Sequence, residues 1–166
     1  VQTTQAPEAT TESTQAPRYQ TREVAEETPK ESTYTGLVYE NGETFYHVNG
    51  KALLSQWKWA NGRWYYFDAE GKMMTSGMTP DGYLVDSQGK IANPGWLNAN
   101  GTWYYALAEG KAFRGDWKQI GGTWYAFHAD GKMYAGEWSG NYFLKSDGAM
   151  ADNEWVFDRN YNSWFY

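Results

Sequence analysis

Residues Asn98 to Gly110 read NANGTWYYALAEG, and the phrase keeps returning. WANGRWYYFDAEG occupies Trp59 to Gly71, and QIGGTWYAFHADG occupies Gln119 to Gly131. Asn-Gly between aromatic-rich runs is a hairpin signal, because a two-residue type I′ turn needs positive φ at both central residues. Asn61-Gly62, Asn100-Gly101 and Gly121-Gly122 hold that place in their copies. A two-residue turn fixes the register. Ala60 should face Arg63, Trp59 should face Trp64, and Trp57 should face Tyr66. Side chains alternate along a strand, so Trp57, Trp59, Trp64 and Tyr66 are expected on one face. Trp57 and Trp64 are then diagonal neighbours, within aromatic reach. The same arithmetic brings Trp96, Trp103 and Tyr105 together, and Trp117 with Trp124. It sends Tyr65, Tyr104 and Tyr125 to the opposite face.

The phrase belongs to a longer period. Gly50, Gly71, Gly89, Gly110, Gly131 and Gly148 follow one another at 21, 18, 21, 21 and 17 residues. Two positions after each stands an apolar residue: Ala52, Met73, Ile91, Ala112, Met133 and Met150. A lone hairpin is marginal in water, so copies that stack and bury each other's rings are expected. A period near 20 carrying turn and apolar positions predicts an all-β solenoid of stacked β-hairpins over residues 36–166. Residues 1–35 differ. VQTTQAPEATTESTQAP carries no Trp and little apolar mass, so a disordered Thr/Pro/Gln/Glu-rich linker or stalk is expected there.

Composition narrows the function. The chain has 166 residues, 10 Trp, 14 Tyr, no Cys and a net charge of -6 at pH 7. That charge argues against nucleic acid, and no apolar run is long enough for a membrane-spanning helix. The absence of Cys excludes disulfides and thiolate metal sites. No metalloprotease or nucleophile-elbow motif occurs. His47 and His128 both lie three residues before a turn glycine, the register also held by Asp68 and Asp86, and are expected to serve the turns. No catalytic residue, metal site or cofactor is expected. Paired Trp faces remain. Uncharged aromatic walls suit a soft cation such as a quaternary ammonium, or the C–H face of a sugar.

The stretch GWLNANGTWYYALAEGKAFRGDW (Gly95–Trp117) resembles the choline-binding repeats of pneumococcal and related Gram-positive surface proteins, and NYFLKSDGAMADNEW (Asn141–Trp155) resembles their variant repeats. The resemblance covers roughly residues 36–166. It implies a left-handed hairpin solenoid on a secreted protein attached to the bacterial cell wall. The implied ligand is choline or phosphocholine, and the implied partner is choline-decorated teichoic or lipoteichoic acid. Each implied cage takes two Trp of one repeat, a ring of the next, and often a Met. Carried across, the Trp pairs are Trp57/Trp64, Trp96/Trp103 and Trp117/Trp124. The ring position of the next repeat falls on Leu84, Ala126 and Phe143. Tyr83, Tyr125 and Tyr142 stand one residue earlier, where alternation predicts the opposite face unless a bulge turns them in. Trp117/Trp124 with Phe143 or Tyr142, lined by Met133 or Met150, is the favoured site. A glucan or host glycan as ligand, or a host protein bound by a scaffold, is the alternative.

Overall fold

A computed structural model describes residues 32–166, which hold fifteen strands and no helix. For its first 31 residues the expected linker over 1–35 lies outside the described residues. From Thr33 to Tyr166 the chain is one unit. Strands β1 (Gly36–Glu40) and β2 (Glu43–Val48) make the first hairpin, with β3 (Lys51–Ala52) added at its edge. The second pairs β4 (Gln56–Ala60) with β5 (Arg63–Phe67), and the third β6 (Gly77–Met78) with β7 (Leu84–Val85). The fourth pairs β8 (Gly95–Ala99) with β9 (Thr102–Ala106), and the fifth β10 (Trp117–Ile120) with β11 (Thr123–Ala126). The sixth joins β12 (Glu137–Ser139) to β13 (Tyr142–Leu144), and the seventh β14 (Val156–Asp158) to β15 (Ser163–Phe165).

Turn chemistry sets the pairing. Asn61 and Gly62 have φ of 50° and 79°, Asn100 and Gly101 52° and 88°, and Gly121 and Gly122 59° and 84°. These are the positive values a type I′ turn requires. Trp57 faces Tyr66, Trp59 faces Trp64, and Ala60 faces Arg63, as the turn arithmetic predicts.

A second, glycine-ended turn follows the second to sixth hairpins. At Asp68 the backbone N–H donates to the Lys72 carbonyl at 2.9 Å, while Oδ1 accepts from the N–H groups of Glu70 and Lys72. Asp86 repeats the arrangement with Gln88 and Lys90. His128 closes the same backbone turn, donating to the Lys132 carbonyl at 2.8 Å. This folds the apolar residue back onto its own hairpin: Phe67 bridges Met73, Ala106 bridges Ala112, Phe127 bridges Met133 and Leu144 bridges Met150.

The same residues join neighbouring copies. The N–H groups of Met73, Ala112, Met133 and Met150 donate at 2.7–2.9 Å to the carbonyls of Thr44, Gly82, Trp103 and Trp124, all in earlier hairpins. Each turn glycine then lies on the apolar residue one repeat back. A Cβ on Gly71 would stand 3.2 Å from that of Ala52, and one on Gly89 would stand 3.1 Å from Met73 Sδ. Gly110 lies on Ile91, Gly131 on Ala112, and Gly148 on Met133. Glycine is thus required twice, for its positive φ and for the missing Cβ. The outcome is a hairpin solenoid with a glycine–apolar spine. Phe67, Leu84, Val85, Phe127 and Leu144 fill its buried interior.

Candidate functional site

Three of the clefts between consecutive hairpins are built from the same four kinds of wall. The first is lined by Trp57 and Trp64 of the second hairpin, with Tyr83, Ile91 and Asp81 from the third repeat. Trp96 and Trp103 of the fourth hairpin meet Tyr125 and Met133 of the fifth repeat in the second cleft, where Asp147 of the sixth also joins the wall. The third takes Trp117 and Trp124 from the fifth hairpin, with Tyr142 and Met150 from the sixth repeat. Their open volumes are about 270, 240 and 340 Å³. These lie at or below the low end of drug-sized pockets, ~300–1,000 Å³.

Edge-to-face ring packing holds the walls. Centroids are 5.5 Å apart at 82° for Trp57 and Tyr83, 4.8 Å at 74° for Trp96 and Tyr125, and 5.7 Å at 78° for Trp117 and Tyr142. These are favoured aromatic geometries. The second Trp of each pair stays accessible, at 46% for Trp64, 41% for Trp103 and 42% for Trp124. A ligand can therefore reach its face. Tyr66 and Tyr105 brace the first Trp of the first two clefts at 5.2 and 5.4 Å. In the third cleft Ala126 stands opposite Trp117, and no such brace exists.

Tyr83, Tyr125 and Tyr142 enter these clefts, while Leu84, Ala126 and Phe143 are buried. No bulge is needed. Hairpins stack with the Trp face of one against the opposite face of the next. Tyr125 shares its face with Lys118, its cross-strand partner, and that face covers Trp96. Phe143 instead packs on Trp138 within its own hairpin, at 5.2 Å. Met133 lines the second cleft and Met150 the third. Ile91, Asp81 and Asp147 were not anticipated as walls. The position two after the turn glycine was a signal for Ile91. The two carboxylates had none, because each arrives from a loop distant in sequence.

Asp81 is tightly held. Its Oδ2 accepts from Trp57 Nε1 at 2.8 Å and its Oδ1 from Thr79 Oγ1 at 2.5 Å. Thr79 Oγ1 in turn accepts from the Tyr83 N–H at 3.0 Å. Burial pushes the Asp81 carboxyl up, but the hydrogen bonds from Thr79 and Trp57, its backbone contact and Lys111 outweigh it. The group sits below the usual carboxylate value and is ionised at neutral pH. Trp138 makes the matching bond to Asp158 Oδ2 at 2.6 Å, yet Asn141 replaces the second Trp in that hairpin. His128 stacks on Tyr134 at 3.5 Å, with Nε2 2.7 Å from Glu137 Oε1. Among the described residues no group of three or more His, Cys, Asp or Glu could hold a metal ion.

Stacked hairpins with aromatic clefts at their junctions define a repeat-built binding module. A choline-binding repeat model matches residues 53–91 and 132–162, and a model described as "Putative cell wall binding repeat" matches residues 95–112 and 115–133. The chain belongs to the choline-binding repeat family, and its repeats form a cell-wall-binding module. Among solved structures it is similar to the modular autolysin LytC of Streptococcus pneumoniae in complex with a synthetic peptidoglycan ligand. The TM-score is 0.52 at 28% identity, over 80% of this chain and 31% of that one. Choline binding protein F of the same organism, with a peptidoglycan analogue, gives 0.48 at 31% identity over 75% and 43%. A "Putative endo-beta-N-acetylglucosaminidase" of S. pneumoniae is 62% identical over 26 residues, 16% of this chain and 4% of that protein. The chain thus spans only a small part of the curated relatives it matches.

Proposed function

We propose that the module anchors its protein, without catalysis, to phosphocholine groups on cell-wall teichoic or lipoteichoic acid. Trp57/Trp64/Tyr83, Trp96/Trp103/Tyr125/Met133 and Trp117/Trp124/Tyr142 are the binding residues, with no cofactor or metal required. The carrying observation is the threefold recurrence of one cleft: two Trp of one hairpin, a Tyr and an apolar side chain of the next. Such walls offer π faces and little hydrogen bonding. A trimethylammonium group fits that chemistry. It is bulky, spreads its charge, and loses less hydration than a primary ammonium. Cation–π attraction contributes ~0.5–1 kcal/mol at an exposed face and about 2 when desolvated. Single sites are therefore weak. Several clefts on one polymer act together, and linkage of this kind raises overall binding ~10²–10⁴-fold. On this reading the protein is secreted and held at the bacterial surface.

Titration of Trp fluorescence with choline and with dextran tests the proposal. Choline in the millimolar range should change the emission and dextran should not, and the protein should be retained on a tertiary-amine resin. A response to dextran alone would replace choline with glucan as the ligand.

A further inference from the structure

The three clefts share their rings but not their charges. Asp81 stands in the wall of the first and Asp147 in the wall of the second, while no charged side chain lines the third. Resting on the cation-cage reading above, we infer that the clefts divide into two classes. The first and second select a bare quaternary ammonium over one carrying a phosphate. The third accepts both nearly equally.

The two carboxylates reach their clefts by different routes. Asp81 belongs to the loop that carries Tyr83, and its bond to Trp57 Nε1 ties it to the facing wall. It therefore acts both as a charge and as a positioning group. A carboxylate on the indole N–H also draws positive charge off the ring edge, which deepens the negative face offered to a cation. Asp147 comes from the turn whose glycine, Gly148, lies on Met133. The second cleft thus takes walls from three successive repeats. Asp147 also accepts from the Ala149 N–H at 3.0 Å, so the turn fixes its place.

Lysines stand on one wall ring of the first cleft and on the ring that braces the second. Lys111 Nζ is 5.4 Å from the Tyr83 centroid, and Lys118 Nζ is 5.5 Å from that of Tyr105. Neither lines a cleft, and Lys145, the cation that also acts on Asp147 and Tyr125, is paired with Glu154 at 2.9 Å, so the lining carboxylate sets the sign of the preference. Two unit charges about 6 Å apart in water interact by an energy that corresponds to about a threefold change in affinity. The effect is screened by salt, since the Debye length falls from ~10 Å at 0.1 M to ~3 Å at 1 M.

Single-cleft proteins make the test. Trp64→Ala with Trp124→Ala leaves only the second Trp pair, and Trp64→Ala with Trp103→Ala leaves only the third. The residues removed are each more than two-fifths exposed, so the stack is kept. Choline and phosphocholine are titrated against each protein by Trp fluorescence at low and high salt. The second-cleft protein should prefer choline about threefold at low salt and lose that preference at about 1 M salt. Asp147→Asn in that background should abolish the preference at all salt concentrations. The third-cleft protein should show none. Equal preferences in both proteins, or a preference that survives Asp147→Asn, would overturn the inference while leaving the cages intact. A second-cleft protein blind to both ligands, while the parent chain responds, would also overturn it. No response from the parent chain would defeat the cage reading itself.

Discussion

Gly89→Ala is the sharpest test of the glycine–apolar spine, because the chain carries its own control. Gly89 has φ of +73°, and a Cβ there would lie 2.9 Å from the Met74 carbonyl oxygen and 3.1 Å from Met73 Sδ. Gly62 has nearly the same φ, +79°, but a Cβ there meets nothing within 4 Å. Both substitutions force alanine into the left-handed region, at ~1–2 kcal/mol. Only Gly89→Ala adds a clash with packed atoms, one of them backbone, and overpacking costs a further ~1–3 kcal/mol. Gly62→Ala should therefore destabilise by about 1–2 kcal/mol and Gly89→Ala by about 2–5 kcal/mol. Urea unfolding followed by Trp fluorescence reads the difference. Repeat arrays do not always unfold in one step, so midpoints of the first transition are the quantity to compare. Equal losses to within ~0.5 kcal/mol would refute the spine as a packing element. The glycine period would then reflect backbone conformation alone.

Further expectations concern single cleft residues, one turn, and alkaline pH. Trp117→Ala with Trp124→Ala should weaken retention on a tertiary-amine resin, whereas unchanged retention would remove the third cleft from the site. Tyr125→Leu should raise the choline dissociation constant of the second cleft about 2- to 30-fold, the span of one cation–π contact, as measured by fluorescence titration. Asp68→Ala loses the two turn hydrogen bonds accepted by Oδ1 and should lower the urea midpoint by an amount equivalent to about 1–2 kcal/mol. Burial raises the phenol pKa of Tyr66 above its ordinary value of 10.0, with Asp81 and Asp68 adding to the effect, and burial with Asp130 does the same for Tyr104. A raised folded-state value gives a stability contribution that is complete below the unfolded pKa and is lost as pH rises through the folded one. Stability should therefore fall above about pH 10, and phenolate absorbance should show tyrosines that ionise later in the folded chain than in urea.

The hairpins were readable because their information is local. Asn-Gly at 61–62 and 100–101 fixes φ, register and the Trp diagonals within a dozen residues. The spine was readable as a period, since Gly71, Gly110 and Gly131 each carry an apolar residue two places on. The third ring of each cleft was not settled by the same logic. Alternation correctly put Tyr125 opposite Trp124, but it says nothing about which face of one hairpin meets which face of the next. That choice depends on how the stitch from Met133 to Trp103 orients successive copies. Asp81 was hidden for a related reason. It lies in a five-residue turn, Thr79–Tyr83, whose local pattern points to a loop. Its partner Trp57 is 24 residues away.

Trp124 and Tyr125 are consecutive residues that serve different clefts, one on each side of a single strand. The fifth repeat is therefore not a site but two complementary half-sites joined back to back. Deleting the fifth copy by recombination brings the Trp half of the fourth, Trp96 and Trp103, against the Tyr half of the sixth, Tyr142. The new junction has the parts of a complete cleft. Loss or duplication of that copy changes the valency by one step and leaves no Trp pair inside the stack without a facing Tyr.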